Sequence, residues 1–128
     1  MWVGVSAPRA RVMLARGLQV PQPHRLPFLI DTGADTTMVS EQAMRLLGIP
    51  ERGARQIVGS TTHIDPTTCS AYDVQFEIRT HGDPPRIYPA LEVLARPFFN
   101  VSIEGLIGRD VLDQMQLTIG RGRFRIDY

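Results

Sequence analysis

The 128-residue chain contains little cysteine and little histidine. Its one cysteine, Cys69, cannot form a disulfide bond within the chain, which favours a reducing compartment or indifference to redox conditions. The three histidines stand far apart at His24, His63 and His81, whereas the ligands of a zinc site are closely spaced. The sequence therefore predicts no metal site.

The chain also lacks a long hydrophobic run and an excess of either charge. No apolar stretch approaches the roughly 18 residues that a membrane span requires, and the N-terminus has no signal-peptide pattern, so we expect a cytoplasmic protein without a membrane partner. Fourteen basic and 13 acidic residues give a net charge of +1, which predicts no nucleic-acid partner. The length and the 43% hydrophobic content predict one folded domain over residues 1–128.

Glycine and proline are frequent, with 11 and 10 residues, and patterns with a helical period are few. This predicts an all-β fold of short strands and turns with one or two short helices. The clearest helix begins at Ser40, a suitable N-cap, and ends at Gly48. Residues 1–10 contain Pro8 and predict an extended arm or an edge strand. A loose alternation over residues 11–18 predicts a first strand.

The other predicted elements are mainly strands joined by tight turns. Residues 68–79 place Val74, Phe76 and Ile78 on one face of a half-buried strand. The remaining predictions are strands over 26–30 and 87–94, a hairpin over 55–64 with its tip near Gly59, a short helix over 110–115, and a hairpin formed by 116–119 and 123–126.

Asp31, Thr32 and Gly33 follow the apolar run 26–30 directly. A short apolar run before a glycine is typical of a buried strand that ends in a tight turn. Such a turn places the carboxylate of Asp31 at the edge of the core, which is a common position for a reactive side chain. The triplet is therefore a candidate catalytic motif.

A second motif, Gly105–Leu112, lies about seventy-five residues downstream and reads Gly-Leu-Ile-Gly-Arg-Asp-Val-Leu. A hydrophobic-Asp-Thr-Gly-Ala motif followed at this separation by a hydrophobic-hydrophobic-Gly-Arg-Asn/Asp motif resembles the retropepsin-like aspartic proteases, the family of retroviral proteases and their bacterial relatives. The resemblance covers residues 27–119. It implies a closed, barrel-like β-domain and an aspartic endopeptidase that needs no metal and no cofactor.

Peptide hydrolysis by carboxylates requires two of them about 3 Å apart that share one proton. The chain contains one Asp-Thr-Gly triplet, and no other aspartate is followed by Thr-Gly. A two-fold dimer supplies the second carboxylate, because its axis brings a residue against the same residue of the partner. Catalysis on a peptide or protein substrate therefore predicts a homodimer in which Asp31 of each chain forms the dyad.

The resemblance implies roles for the residues around the dyad. Asp31, Thr32 and Gly33 are the implied catalytic motif, in which Thr32 would form hydrogen bonds across the dimer axis. The hairpin near Gly59 would act as a flap that closes over the substrate. The implied substrate-binding residues are Ala34, Asp35, Thr36, Met38, Ile57, Val58, Gly59, Leu106 and Ile107.

The second motif is implied to support the first. Arg109 would pair with Asp35, which would tie the short helix to the catalytic loop. Gly108 and Asp110 would belong to the same support. Asp110 stands where viral members usually have asparagine. Ala34 stands where some relatives have serine, whose hydroxyl can stabilise an ionised dyad, so we expect a mildly acidic pH optimum here.

Two alternatives to the enzyme remain open from the sequence. The chain can be a non-catalytic homodimeric module that keeps the fold and binds extended peptides by β-addition. It can also be a monomer that assembles only with a partner or at high concentration. The enzyme is favoured because a pure binding module has no need for Asp31 and Thr32 together.

Overall fold

The computed structural model describes residues 1–58, 66–80, 82–98 and 102–127. It is mostly β, with 46% strand and 17% helix. In chain order the elements are β1 (Trp2–Val5), α1 (Ala7–Ala15), β2 (His24–Arg25), β3 (Phe28–Ile30), β4 (Met38–Ser40), α2 (Glu41–Leu47), β5 (Gly53–Ile57), β6 (Thr67–Ile78), β7 (Arg86–Arg96), β8 (Gly105–Ile107), α3 (Arg109–Leu112), β9 (Gln116–Gly120) and β10 (Arg123–Asp127). The predicted β-rich class with few helices is confirmed.

Most of the strands form one curled sheet that has the shape of a half-barrel. The strand order is β2-β1-β6-β7-β4-β8-β3, and β5 pairs with β6 outside this order. The two end strands, β2 and β3, are consecutive in the chain and are separated only by Leu26 and Pro27. One extended segment therefore contributes to both ends of the sheet. Closure of the sheet into a hydrogen-bonded barrel stays a prediction.

The two longest strands, β6 and β7, carry the centre of the hydrophobic core. As predicted, Val74, Phe76 and Ile78 of β6 are buried. Glu77 lies between them in sequence and is also buried. Arg79 compensates its charge, with Nε 2.7 Å from Oε1 and Nη2 3.2 Å from Oε2 of Glu77. A buried carboxylate requires such a partner.

The helix predicted over 40–48 is confirmed as α2. The side chain of Ser40 caps it, because its Oγ accepts a hydrogen bond of 3.0 Å from the backbone N–H of Ala43. Gly48 ends the helix with φ of +61°, a left-handed conformation that glycine adopts without steric cost. Met44 and Leu47 are buried against the core, so α2 covers one side of the half-barrel.

The first strand predicted over residues 11–18 is wrong, because most of this segment belongs to α1. Pro8 lies in the first turn of α1, where its missing N–H removes no hydrogen bond. The alternation that suggested a strand comes from Val12 and Leu14, which are 51% and 65% exposed and so do not mark a buried face. The extended arm or edge strand predicted over residues 1–10 is also wrong, because β1 lies between β2 and β6 in the sheet and α1 begins at Ala7.

The predicted C-terminal hairpin is confirmed by β9 and β10, which pair antiparallel as a separate two-stranded sheet. Arg121 and Gly122 form its turn with φ of +50° and +71°, as a tight hairpin turn requires. Ile126 is buried in the core, whereas Ile119 and Phe124 near the turn are exposed. The hairpin is therefore anchored at its base and projects at its turn.

Candidate active site

The two sequence motifs meet in the sheet, because β3 and β8 are adjacent parallel strands. Phe28 lies opposite Gly105, and Ile30 lies opposite Ile107. The ladder continues for one bond past β3, where the backbone N–H of Asp31 donates to the carbonyl of Ile107 at 3.1 Å. The second motif therefore fixes the backbone of Asp31.

The Asp-Thr-Gly turn folds back on the carboxylate of Asp31. The backbone N–H of Gly33 donates to Oδ1 of Asp31 at 2.9 Å, and the N–H of Ala34 donates to the Asp31 carbonyl at 3.3 Å. A Cβ atom on Gly33 would lie 3.3 Å from the same Oδ1, closer than an ordinary contact. One carboxylate oxygen is thus held in place. Asp31 is half-buried, whereas Thr32 and Gly33 are exposed.

The start of α3 holds the other side of the turn. The N–H of Arg109 donates to the carbonyl of Ala34 at 2.8 Å, and the N–H of Asp110 donates to the carbonyl of Asp35 at 3.1 Å. Gly108 packs directly on backbone, since a Cβ atom at this position would lie 2.5 Å from the carbonyl carbon of Thr36. Glycine is required at position 108 because of this close approach, since the φ of Gly108 is one that other residues also adopt.

Thr37 is a buried connection that the sequence did not single out. Its backbone N–H donates to Oδ2 of Asp110 at 2.9 Å, and its hydroxyl donates to Oδ1 at 2.7 Å. The same hydroxyl accepts a hydrogen bond of 3.1 Å from the N–H of Gly108. The N–H of Val111 also donates to Oδ1 of Asp110, at 2.9 Å. Asp110 therefore ties both motifs together through three donors.

The predicted contact between Arg109 and Asp35 is present but loose. Nη1 of Arg109 lies 3.6 Å from Oδ1 of Asp35, whose side chain is 90% exposed. Nε of Arg109 also lies 3.6 Å from Oδ2 of Asp113. Exposed pairs at this distance contribute little to stability. The backbone hydrogen bonds and the contacts of Asp110, rather than this ion pair, hold α3 against the loop.

Several predicted substrate-binding residues share a small apolar cluster beside the loop. Met38 is buried in it, and Ile57 and Leu106 pack against it half-buried. The other members of the cluster are Cys69, Ala71, Leu94 and Phe98. Ile107 is different, because it is fully buried in the main core. Its predicted place in a subsite stays a prediction.

The predicted flap falls on the connection between β5 and β6. These strands pair antiparallel up to Ile57, which lies opposite Thr67. Val58, the next residue, is 76% exposed. Gly59 and the rest of the predicted tip lie outside the described residues. The base of a hairpin is therefore at the predicted position.

The described part of the chain contains no cluster of three or more His, Cys, Asp and Glu side chains arranged to hold a metal ion. Cys69 is buried, and this burial raises the pKa of its thiol. A raised pKa keeps the thiol protonated at neutral pH, which suits a core residue and not a nucleophile. Among the described helices, none has the length and apolar character needed to cross a membrane.

A mostly β half-barrel in which an Asp-Thr-Gly turn is hydrogen-bonded to a second glycine turn has the architecture of an aspartyl protease domain. A sequence profile described as aspartyl protease matches residues 17–111, about three quarters of the chain. The chain therefore belongs to the aspartyl protease family. A search of curated proteins found no sequence with a significant match.

The matched region contains both motifs and the sheet between them. It begins just after α1 and ends within α3, so α1 and the C-terminal hairpin lie outside it. The family relationship therefore accounts for the paired loops. It does not account for α1 or for the C-terminal hairpin.

Proposed function

We propose that the protein is a homodimeric aspartic endopeptidase in which Asp31 of each chain forms the catalytic dyad. The observation that carries this proposal is the hydrogen-bonded loop around Asp31, which holds a half-buried carboxylate beside exposed Thr32 and Gly33. A loop of this kind orients one carboxylate and leaves its outer side open to a second copy. Family membership supports the same reaction class.

The reaction follows from the chemistry of two carboxylates that share one proton. The ionised Asp31 takes a proton from a water molecule, whose oxygen then attacks the carbonyl carbon of the scissile peptide bond. The protonated Asp31 of the other chain donates its proton to the carbonyl oxygen. When the tetrahedral intermediate collapses, the C–N bond breaks and the leaving nitrogen receives a proton, which gives a carboxylic acid and an amine.

The dimer is proposed because one chain supplies one Asp-Thr-Gly turn. A two-fold axis beside the turn would place Asp31 next to its mate and would allow Thr32 to bond across the axis. Such an arrangement would bury Thr32 and Gly33, whose exposure in the single chain leaves them available for it.

An extended peptide is the proposed substrate. Ala34, Asp35 and Thr36 would bind its backbone, because they directly follow the catalytic turn. The apolar cluster around Met38 and Leu106 would receive an apolar side chain of the substrate. Ile57, Val58 and Gly59 would close over the peptide as part of the flap.

A digestion experiment tests the proposal. A mixed peptide library is incubated at pH 4 to 7 with wild type, with Asp31→Asn, and with Asp83→Asn as a control for loss of an exposed carboxylate. The oligomeric state of each sample is measured by sedimentation. We expect cuts from wild type and from the control, and none from Asp31→Asn. A dimeric wild type that cuts no peptide would contradict the enzyme and favour the peptide-binding module.

A further inference from the structure

The first 30 residues have an uneven charge. They contain four arginines and no acidic residue, whereas the remaining 98 residues contain 10 basic and 13 acidic residues. Three of the four, Arg9, Arg11 and Arg16, lie in α1 or directly after it. The small net charge of the whole chain is therefore the sum of a basic N-terminal segment and an acidic remainder.

The three arginines at α1 have no carboxylate of their own chain as a partner. They are exposed, and within the described ranges none of them forms an ion pair. Six other arginines do pair with carboxylates, namely Arg45, Arg52, Arg55, Arg79, Arg109 and Arg125. The positive charge at α1 is therefore available to another molecule.

The same segment exposes apolar side chains that the core does not use. No residue of α1 is buried, and only Ala10 and Met13 pack against the core from a partly buried position. Leu14 and Leu18 are 65% and 53% exposed. Solvent contact of this apolar area is unfavourable, so the segment is suited to contact with a partner.

The exposed leucines line a groove. It is open, has a volume of about 910 Å³, and is lined by Leu14, Gly17 and Leu18 and by the four residues 19–22, which include Val20 and Pro21. None of these residues belongs to either catalytic motif. Arg16 immediately precedes the groove residue Gly17 in the chain. The groove is therefore lined by apolar side chains together with Gln19 and Gln22, and unpaired positive charge occurs in the same continuous stretch.

We propose that the groove and the arginines of segment 9–22 together form a docking surface, named here the α1 groove. Its partner is an acidic polypeptide segment that carries apolar side chains. Glutamate or aspartate of the partner would pair with Arg11 and Arg16, and its apolar side chains would enter the groove between Leu14 and Leu18. The charge complementarity selects an acidic partner, and the exposed leucines of the groove favour a chain with apolar side chains to insert.

A membrane surface fits these residues less well than a polypeptide does. A helix that lies on a membrane presents its apolar side chains on one continuous face. Val12 and Leu14 of α1 are two positions apart and so point about 200° apart around the helix axis. The exposed apolar residues of α1 therefore do not form one continuous face that can insert into lipid.

The α1 groove requires no contribution from Asp31, so its binding is independent of the proposed catalysis. If the chain is a protease, the surface recruits substrates that carry an acidic-apolar segment apart from the bond that is cut. If the chain is not a protease, the same segment still binds.

Fluorescence anisotropy tests this inference. The probe is a short labelled peptide that alternates glutamate with leucine, and the protein carries Asp31→Asn so that no cleavage interferes. The charge variant is Arg11→Glu with Arg16→Glu. The matched control is Arg121→Glu with Arg123→Glu, two exposed arginines of the C-terminal hairpin whose reversal changes the net charge equally. A groove variant carries Leu14→Ser with Leu18→Ser.

We expect the charge variant to bind the peptide roughly tenfold more weakly than the parent, and the control to change affinity by less than about twofold. The groove variant should also lose affinity, and all variants should keep their melting temperature because the changed side chains are exposed. A peptide with lysine in place of glutamate should not bind.

Four results would overturn the inference. In the first, the parent would not bind the acidic peptide. In the second, the control would lose as much affinity as the charge variant, which would mean that net charge alone causes the loss. In the third, the protein would bind phosphatidylserine vesicles more tightly than the acidic peptide, and the peptide would not compete with the vesicles for binding. In the fourth, sedimentation would show that the charge variant loses a dimer that the parent forms, which would assign the surface to a second copy of the chain.

Discussion

The paired loops of the candidate site and the α1 groove differ in what holds them in place. The loop after β3 and the loop after β8 are joined by backbone hydrogen bonds, by the buried Thr37 and by a glycine contact that admits no side chain. The helix α1 has no buried residue and touches the core with two side chains. The comparison shows that many specific tertiary contacts hold the paired loops, whereas few hold α1.

This difference predicts where substitutions matter. In the paired loops, changes at Gly108, Asp110 and Val111 should lower stability, because each of these residues has a specific partner or is buried in the core. In α1 comparable changes should cost little, because the side chains face water.

Gly108→Ala should have the largest effect. The new Cβ atom would lie 2.5 to 2.8 Å from the backbone of Thr36, and neither backbone can move without breaking the bonds around the turn. We expect a loss of about 3 kcal/mol in the free energy of unfolding and loss of activity. Urea unfolding measures the stability.

The control for this change is Gly120→Ala in the C-terminal hairpin. An added Cβ atom there meets nothing within 4 Å. It should change the free energy of unfolding by less than about 0.5 kcal/mol. Equal effects of the two substitutions would show that the close approach at Gly108 is not what fixes the loops.

Asp110→Asn tests the buried link between the motifs. The carboxylate accepts hydrogen bonds from two backbone N–H groups, one on each oxygen, so either orientation of an asparagine amide turns its NH₂ group toward one of these donors. We expect a loss of about 1–3 kcal/mol in the free energy of unfolding. Asp113→Asn, at an exposed ion pair in the same turn, should change it by less than about 0.5 kcal/mol. An unchanged melting temperature in Asp110→Asn would show that the hydrogen bonds of Asp110 do not stabilise the paired loops.

A pair of valines compares the two regions with the same substitution. Val111 of α3 is fully buried, whereas Val12 of α1 is 51% exposed. Val111→Ala should lower the free energy of unfolding by about 2 kcal/mol because it leaves a cavity. Val12→Ala should be nearly neutral, within about 0.5 kcal/mol. A large loss in Val12→Ala would mean that α1 packs as firmly as the site does.

Ala34→Ser should have a smaller effect that is seen only in the pH profile of activity. A hydroxyl at this position can donate a hydrogen bond to the ionised dyad and so favour the charged form. The acidic limb of the rate profile should therefore move to lower pH, by roughly half a unit to one unit, with both limbs treated as properties of the coupled pair. A shift to higher pH would contradict the assigned position of residue 34.

The sequence predicted the parts of the fold that carry strong local signals. The helix α2 has a capping serine and a terminal glycine, and β6 has a clear alternation of apolar residues, so both were found near their observed bounds. The positions of the two motifs were likewise visible, because a short apolar run precedes a glycine in each. The buried strand predicted before Asp31 is wrong, because β3 is an end strand of the sheet and has no buried residue.

The parts that the sequence did not predict depend on contacts between distant residues or on weak patterns. The sequence shows that Thr37 has a hydroxyl group, but it does not show that the partner of this group is Asp110, which lies 73 residues away. The full burial of Ile107 was not predicted, because motif position does not reveal which face of a strand points to the core. The α1 helix was missed because two exposed residues imitated a strand pattern.

A mixing experiment tests whether one active site needs Asp31 from two chains. Wild-type protein is incubated with increasing amounts of Asp31→Asn until chains exchange, and peptide cleavage is measured per wild-type chain. With equal amounts of the two chains we expect cleavage per wild-type chain to be about one half of its value for wild type alone, and with a ninefold excess of the variant about one tenth. The reason is that mixed dimers carry only one Asp31 carboxylate. Activity per wild-type chain that stays constant at every ratio would contradict this expectation.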